Sequence, residues 1–163
     1  REDTAIGGLS MGGYGAVRNG LKYHEHFSRI VALSSAFTFR NFATQPYDES
    51  YIITSRKYAE SCFGNLDAFE GSDKDPWALV KALKARQQEM PEILMACGLE
   101  DSLLSVNQDF AAFLTEQGAK ITFETASGGH DWDFWHRSIK RALDWLPLET
   151  PSDFLNSGNV VLS

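Results

Sequence analysis

The stretch TAIGGLSMGGYGAVRNG, residues 4–20, places one serine among glycines where two sequence patterns meet. Residues 4–9 are a short apolar run that predicts a buried strand, and residues 11–23 predict a helix in spite of their glycines. Ser10 therefore falls on a sharp strand-to-helix turn, where Gly-x-Ser-x-Gly is typical of an exposed nucleophile. We expect side chains at Gly8 and Gly12 to clash with the helix or the strand. The motif alone is weak evidence, because glycine and serine are common.

The rest of the chain continues to alternate between strand and helix patterns. Apolar runs predict strands at residues 30–34, 91–99 and 119–127, and helical spacing predicts helices at 71–88, 103–118 and 133–147. Asp75 and Pro76 provide the N-cap and the first turn of one helix. This order predicts an α/β fold with a parallel sheet of about four strands flanked by helices.

Three of the four predicted strands end at residues suited to nucleophilic catalysis. In a parallel sheet the reactive groups collect at the carboxyl ends of the strands. Ser10 follows the first strand, Asp101 in "CGLEDSLL" follows the third, and His130 in "SGGHDWDFW" follows the fourth. Glu100 is the competing carboxylate. The order Ser, Asp, His is the one that an α/β-hydrolase topology imposes, so we predict a Ser-Asp-His triad.

The other histidines are weaker candidates. His24 and His26 form an H-x-H pair without the further ligands that a metal site needs, and we expect them at the surface. His136 lies inside the last predicted helix, in packing or at the surface. We therefore expect neither a metal nor another cofactor.

The strings "GLSMGGYGA", "CGLEDSLL" and "GGHDWDFWHRSIKRALDWLPL" resemble the esterase D-like branch of the α/β-hydrolases. Within that branch they are most similar to tributyrin esterases and acetylesterases. The resemblance covers about residues 4–148, and H-D-W-x-x-W and the closing W-L-P are its most specific parts. It implies a serine carboxylesterase for small-molecule, short-chain acyl esters, with the triad on Ser10, Asp101 and His130.

Several neighbouring residues receive roles around this triad. The N–H of Met11 follows the serine at the positive end of the helix, so we predict that it stabilises the oxyanion. Leu9, Trp132 and Trp135 are assigned to the substrate pocket, with packing as the alternative for the two tryptophans. The aromatic region 38–74 is expected to be a cap over the site.

The position of the serine so early in the chain suggests how the domain is organised. Residues 1–148 are expected to be the C-terminal part of a hydrolase domain, and residues 149–163 a polar tail. We expect about 90–120 further residues to complete the sheet. One of their loops, of the form H-G-x-x-G, is expected to supply a second oxyanion N–H. Without them, the open strand at residues 4–9 is expected to pair in a homodimer.

The composition narrows the partners and leaves rival functions open. A net charge of −7 argues against nucleic acid and anionic membranes as partners, and no apolar run approaches the length of a membrane span. A bacterial, cytoplasmic location is expected, with secretion as the open alternative. An S-formylglutathione hydrolase or other thioesterase is one alternative, although "HDWDFW" disfavours it. Feruloyl or acetylxylan-type esterases are another. The alternative of a different class is a non-catalytic binding module with a relic triad, or an inactive fragment.

Overall fold

The predicted strands form one parallel sheet in the computed structural model, which describes residues 1–38, 46–52 and 55–148. Within these residues the sheet has the order β1-β2-β3-β4. The strands are β1 (Ala5–Leu9), β2 (Arg29–Leu33), β3 (Glu92–Gly98) and β4 (Ile121–Ala126). Each strand pairs in parallel with the one before it in the chain, and their carboxyl ends therefore meet at one edge.

Helices connect the strands and cover the sheet. They are α1 (Met11–Lys22), α2 (Arg56–Phe63), α3 (Pro76–Ala85), α4 (Leu104–Glu116) and α5 (Trp132–Trp145), with a short 3₁₀ turn at Leu66–Ala68. The predicted start of α3 is confirmed, since the Asp75 side chain accepts a hydrogen bond from the N–H of Trp77. Gly118, with φ of +80°, follows α4 as the predicted helix stop. No helix in these described residues is long and apolar enough to cross a membrane.

The two central strands, β2 and β3, are buried between two apolar layers. In β2, Ile30 and Ala32 belong to the core cluster that contains side chains of α1, α3 and α4, whereas Val31 and Leu33 belong to the cluster that contains side chains of α5. Alternate residues of one strand thus enter opposite layers, as expected for a parallel sheet covered on both faces. The long apolar run of β3 follows from the same double burial.

The prediction that the first strand is buried is wrong. Ala5 and Gly7 are exposed, and the remaining residues of β1 are only half-buried. The reason is its place in the sheet: β1 pairs with β2 on one side, and no strand of the described residues pairs with its other side.

The two cysteines are free. Cys97 lies inside β3, where burial and then the nearby Asp101 charge raise the pKa of its thiol to about 12. Cys62 is exposed on α2. Cys97 is therefore the buried thiol that its apolar sequence predicts.

The predicted cap region is described only in part, because residues 39–45 and 53–54 lie outside the described residues, as does the predicted tail 149–163. The described part holds α2 and rests on α1. The hydroxyl of Tyr14 donates a hydrogen bond to the carbonyl of Lys74 at 2.8 Å, and its ring meets Phe63 edge-on at 5.7 Å between centroids. This segment is thereby fixed to the helix that follows Ser10.

Candidate active site

Ser10 occupies a strained turn between β1 and α1. Its φ of 55° and ψ of −120° lie where residues other than glycine are rarely found. Both backbone polar groups of Ser10 are bonded to the end of β2 and the residues after it: its N–H donates to Leu33 O at 2.9 Å, and its carbonyl accepts from the N–H of Ala36 at 3.0 Å. These bonds hold the backbone in the strained conformation.

The glycines around Ser10 allow the strand and the helix to approach closely. A Cβ on Gly8 would lie 2.2 Å from the carbonyl oxygen of Gly12, so the predicted clash at Gly8 is confirmed. The predicted clash at Gly12 is wrong, because a Cβ there would meet no atom of the described residues within 4 Å. Gly12 contributes the backbone that Gly8 approaches. Gly13, which the sequence motif does not single out, is also in a tight place: a Cβ on it would lie 2.3 Å from Ser35 Oγ.

His130 bridges Ser10 and Asp101. Its Nε2 lies 2.9 Å from Ser10 Oγ, and its Nδ1 lies 2.9 Å from Asp101 Oδ2. A carboxylate can only accept a hydrogen bond, so the pairing with Asp101 places the imidazole proton on Nδ1. Nε2 is then free to accept from the serine hydroxyl. The three residues predicted as a triad are thus brought together in the arrangement that a serine nucleophile requires.

The Asp101 carboxyl is kept ionised in a buried place. Burial raises its pKa, but hydrogen bonds from the backbone N–H of Leu103 and from His130, together with the nearby Ser34 hydroxyl, lower it by more, so the pKa lies below its usual value. The bond from Leu103 measures 2.9 Å to Asp101 Oδ1. Asp101 is therefore an ionised acceptor for the proton on His130 Nδ1.

Glu100, the competing carboxylate, faces the histidine loop rather than the imidazole. Its Oε2 accepts from the N–H of Gly128 at 2.6 Å, and its own N–H donates to the Gly128 carbonyl at 3.1 Å. A Cβ on Gly98 would lie 2.0 Å from the same carbonyl oxygen. The end of β3 and the loop before His130 are therefore in close backbone contact, and Glu100 fastens that contact.

The residues predicted for the pocket have different environments. Trp135 is buried and meets the His130 ring at a centroid distance of 4.8 Å and an interplanar angle of 85°. Trp132 packs against Trp135 but is 69% exposed. Leu9 is half-buried and packs against the α5 core cluster. Trp135 supports the imidazole from within the core, and of the two tryptophans only Trp132 presents a large surface to solvent.

Met11 lies next to the triad, whereas the other three histidines take no part in its hydrogen bonds. Met11 is the first residue of α1, next to Ser10, and its side chain is 62% exposed. Its N–H belongs to the first helical turn, where N–H groups have no partner within the helix. His24 and His26 face Glu25 at 3.8 and 3.7 Å, and His136 is exposed on α5. No group of three or more potential metal ligands occurs in the described residues.

Most of the chain matches known esterases. Residues 1–146 match the esterase family described as "Putative esterase". An acetyl esterase of Caldicellulosiruptor saccharolyticus is 48% identical over 146 residues, which are 90% of this chain and 55% of that protein. The chain therefore spans about half the length of this curated relative.

Two solved structures from Staphylococcus aureus share the fold. An S-formylglutathione hydrolase has a TM-score of 0.75 and 32% identity over 90% of this chain and 55% of its own. A fluorophosphonate-binding serine hydrolase, in a substrate-bound structure, has a TM-score of 0.77 and 32% identity over 91% of this chain and 56% of its own. The fold is thus that of the α/β-hydrolases, and the chain belongs to the "Putative esterase" family.

Proposed function

We propose that the protein is a serine carboxylesterase that hydrolyses short-chain acyl esters through an acyl-enzyme on Ser10. The observation that carries this proposal is the chain of two 2.9 Å contacts from Ser10 Oγ through His130 to Asp101 Oδ2. Membership of an esterase family and 48% identity to an acetyl esterase support the choice of an acetyl or butyryl ester.

In the proposed reaction, His130 Nε2 takes the Ser10 proton as Oγ attacks the ester carbonyl. The tetrahedral intermediate collapses, and the imidazolium returns the proton to the departing alcohol. Water, activated by the same Nε2, then attacks the acyl-Ser10 ester and releases the acid. Asp101 stays ionised throughout, holds the Nδ1 proton and stabilises the imidazolium.

The oxyanion is assigned to the N–H of Met11 at the start of α1. The N-terminal end of a helix carries a partial positive charge and unpaired N–H groups, which favour a developing negative charge. One such donor is worth roughly 2.7–4 kcal/mol of transition-state stabilisation. Trp132, exposed beside the buried Trp135, is proposed as a wall of the substrate site.

Hydrolysis of a thioester such as S-formylglutathione is the second candidate. The observation in its favour is the likeness to an S-formylglutathione hydrolase at a TM-score of 0.75 and 32% identity. The same serine, base and acid would act on either acyl group, so the triad does not separate the two substrates.

Labelling with a fluorophosphonate tests the nucleophile, because this reagent reacts with an activated serine. The chain should be labelled stoichiometrically, Ser10→Ala should not be labelled, and Ser105→Ala, an exposed serine on α4, should be labelled like the unmodified chain. Labelling that persists in Ser10→Ala would refute the assignment.

A substrate panel separates the two candidates. We expect kcat/KM to be highest for p-nitrophenyl acetate or butyrate and lower for a feruloyl ester and for S-formylglutathione. A kcat/KM for S-formylglutathione above that for both nitrophenyl esters would favour the thioesterase.

A further inference from the structure

Asn107 is a buried amide on α4 whose side-chain hydrogen bonds all go to backbone groups. It is 0% exposed. Its Nδ2 donates to Ser35 O and to Leu103 O, each at 2.8 Å, and its Oδ1 accepts from the N–H of Ser35 at 3.1 Å. Three of the four hydrogen bonds available to an asparagine side chain are therefore made. Two of them reach Ser35 in the loop after β2, and the third reaches Leu103 at the start of α4.

The first contact, at Ser35, lies in the segment that is hydrogen-bonded to the backbone of Ser10. Ser35 lies between Leu33, whose carbonyl accepts from Ser10 N, and Ala36, whose N–H donates to Ser10 O. Ser34, the residue before it, has φ of 44° and donates its N–H to Ala96 O at 2.7 Å. By bonding to both the N–H and the carbonyl of Ser35, the Asn107 amide restrains the segment 33–36 that is hydrogen-bonded to Ser10.

The second contact, at Leu103, lies next to Asp101. Leu103 donates its N–H to Asp101 Oδ1 at 2.9 Å, and its carbonyl accepts both the backbone N–H of Asn107, at 3.1 Å, and the side-chain Nδ2. The two bonds at that carbonyl fix the first turn of α4. They thereby restrain Leu103, the residue whose N–H bonds to the carboxylate.

We propose that Asn107 is a positioning residue that fixes the backbone of Ser10 relative to the carboxylate of Asp101, so that His130 can bond to both. The proposal rests on the proposed function, since Asn107 acts only through those three residues. It touches no reacting atom. An amide suits this place because it donates to both carbonyls and accepts from the Ser35 N–H at the same time. A carboxylate could only accept.

A purely structural role would also make Asn107 sensitive to substitution, because unpaired buried polar groups destabilise any fold. The two roles differ in where the effect appears. A structural role lowers the melting temperature and leaves the folded molecules fully active. A positioning role lowers the reactivity of molecules that are folded, since a small misplacement of reacting groups costs about 10²-fold in rate.

The test compares Asn107→Asp and Asn107→Ala with Val80→Ala. Val80 is fully buried on α3 in the same core cluster as α4 side chains, and makes no bond to the site. Melting temperatures are measured first, and all rates are taken where circular dichroism shows each variant folded. We expect Asn107→Asp to lower kcat and the fluorophosphonate labelling rate about 10–100-fold, with KM within about twofold. Val80→Ala should keep both rates.

Asn107→Ala removes the same bonds without adding charge and guards against a failure of Asn107→Asp to fold. Full kcat in either folded Asn107 variant would overturn the proposal, as would a kcat that falls equally in Val80→Ala.

Proton NMR of the His130 Nδ1–H distinguishes a failure of this proposal from a failure of the proposed function. This readout needs no catalysis, so it applies even if the unmodified chain neither hydrolyses esters nor reacts with fluorophosphonate. The resonance of the Nδ1 proton bonded to Asp101 should shift or broaden in Asn107→Asp and stay in place in Val80→Ala. An unchanged resonance in folded Asn107→Asp would refute the positioning role.

Discussion

A Cβ on Gly8 would lie 2.2 Å from the carbonyl oxygen of Gly12, so the strand before Ser10 and the helix after it touch backbone to backbone. Real Cβ atoms do not approach a backbone oxygen so closely, and neither partner is a flexible side chain that could move away. The strained turn of Ser10 therefore depends on the absence of a side chain at Gly8, whereas Gly12 could carry one.

Gly8→Ala should destabilise the chain and disable Ser10. Forcing a methyl group into this contact should lower the free energy of unfolding by roughly 1–3 kcal/mol, as overpacking does elsewhere. Gly12→Ala is the matched control, and its free energy of unfolding should change by less than about 1 kcal/mol. Urea unfolding measures both variants. Gly8→Ala with unchanged stability and full fluorophosphonate labelling would contradict the close approach.

Asp101 and Glu100 should differ sharply when each loses its charge. Asp101→Asn removes the ionised acceptor for the Nδ1 proton and should lower kcat by about 10⁴-fold, the effect of the equivalent change in a Ser-His-Asp protease. Glu100→Gln keeps an oxygen for the N–H of Gly128 and should cost no more than about fivefold, in line with an exposed charge. Single-turnover hydrolysis of p-nitrophenyl acetate measures both. A larger loss of kcat in Glu100→Gln than in Asp101→Asn would show that Glu100, and not Asp101, is the partner of His130.

The ionised Asp101 should also contribute to stability in a pH-dependent way. Its pKa in the folded chain lies below the ordinary value of 3.8. A lowered carboxyl pKa stabilises the fold fully at pH values above the unfolded pKa, and that stabilisation is lost as the pH falls through the folded pKa. The difference in unfolding free energy between the unmodified chain and Asp101→Asn should therefore be constant above about pH 5 and shift against the unmodified chain in more acidic solution.

Urea unfolding between pH 2 and pH 7 measures this difference for both proteins. Asp109→Asn, which removes an exposed carboxylate on α4, is the control. A difference that moves in favour of the unmodified chain as the solution becomes more acidic would contradict the lowered pKa.

The two tryptophans near His130 should respond differently to substitution, because Trp132 is proposed to contact the substrate and Trp135 packs against the imidazole. Trp132→Ala removes a ring that is 69% exposed and should raise KM with little change in melting temperature. Trp135→Ala removes a buried ring in contact with the imidazole and should lower the free energy of unfolding by about 3–5 kcal/mol. Trp135→Phe, which keeps an aromatic ring, should recover part of both stability and kcat. A raised KM in Trp135→Phe alone would reverse the assignment.

The features predicted from the sequence are those written into short stretches of chain. The apolar run of β3 and the Asp75-Pro76 start of α3 are local signals, and the structure contains both. The order of Ser10, Asp101 and His130 at strand ends was also readable, because a parallel sheet brings those ends together whatever lies between them.

The features missed depend on which segments meet in space. The exposure of β1 reflects its place at the sheet edge, and the open space at Gly12 reflects the direction in which its missing side chain would point. Asn107 did leave a signal. It falls at helical spacing with Leu103, Phe110 and Leu114, so a polar residue occupies the apolar stripe of α4. Such a residue is expected to have buried partners, but nothing local shows that they are the loops of Ser10 and Asp101.

The order of the strands along the chain determines when, during synthesis, Ser10 can meet its base. Each strand is laid beside the one made before it, and the serine is made 120 residues ahead of its base. While the ribosome adds the intervening residues, the growing chain has a serine and then a carboxylate but no imidazole at the strand ends. We therefore expect Ser10, the proposed nucleophile, to stay unreactive until α5 docks and the four described strands are in place.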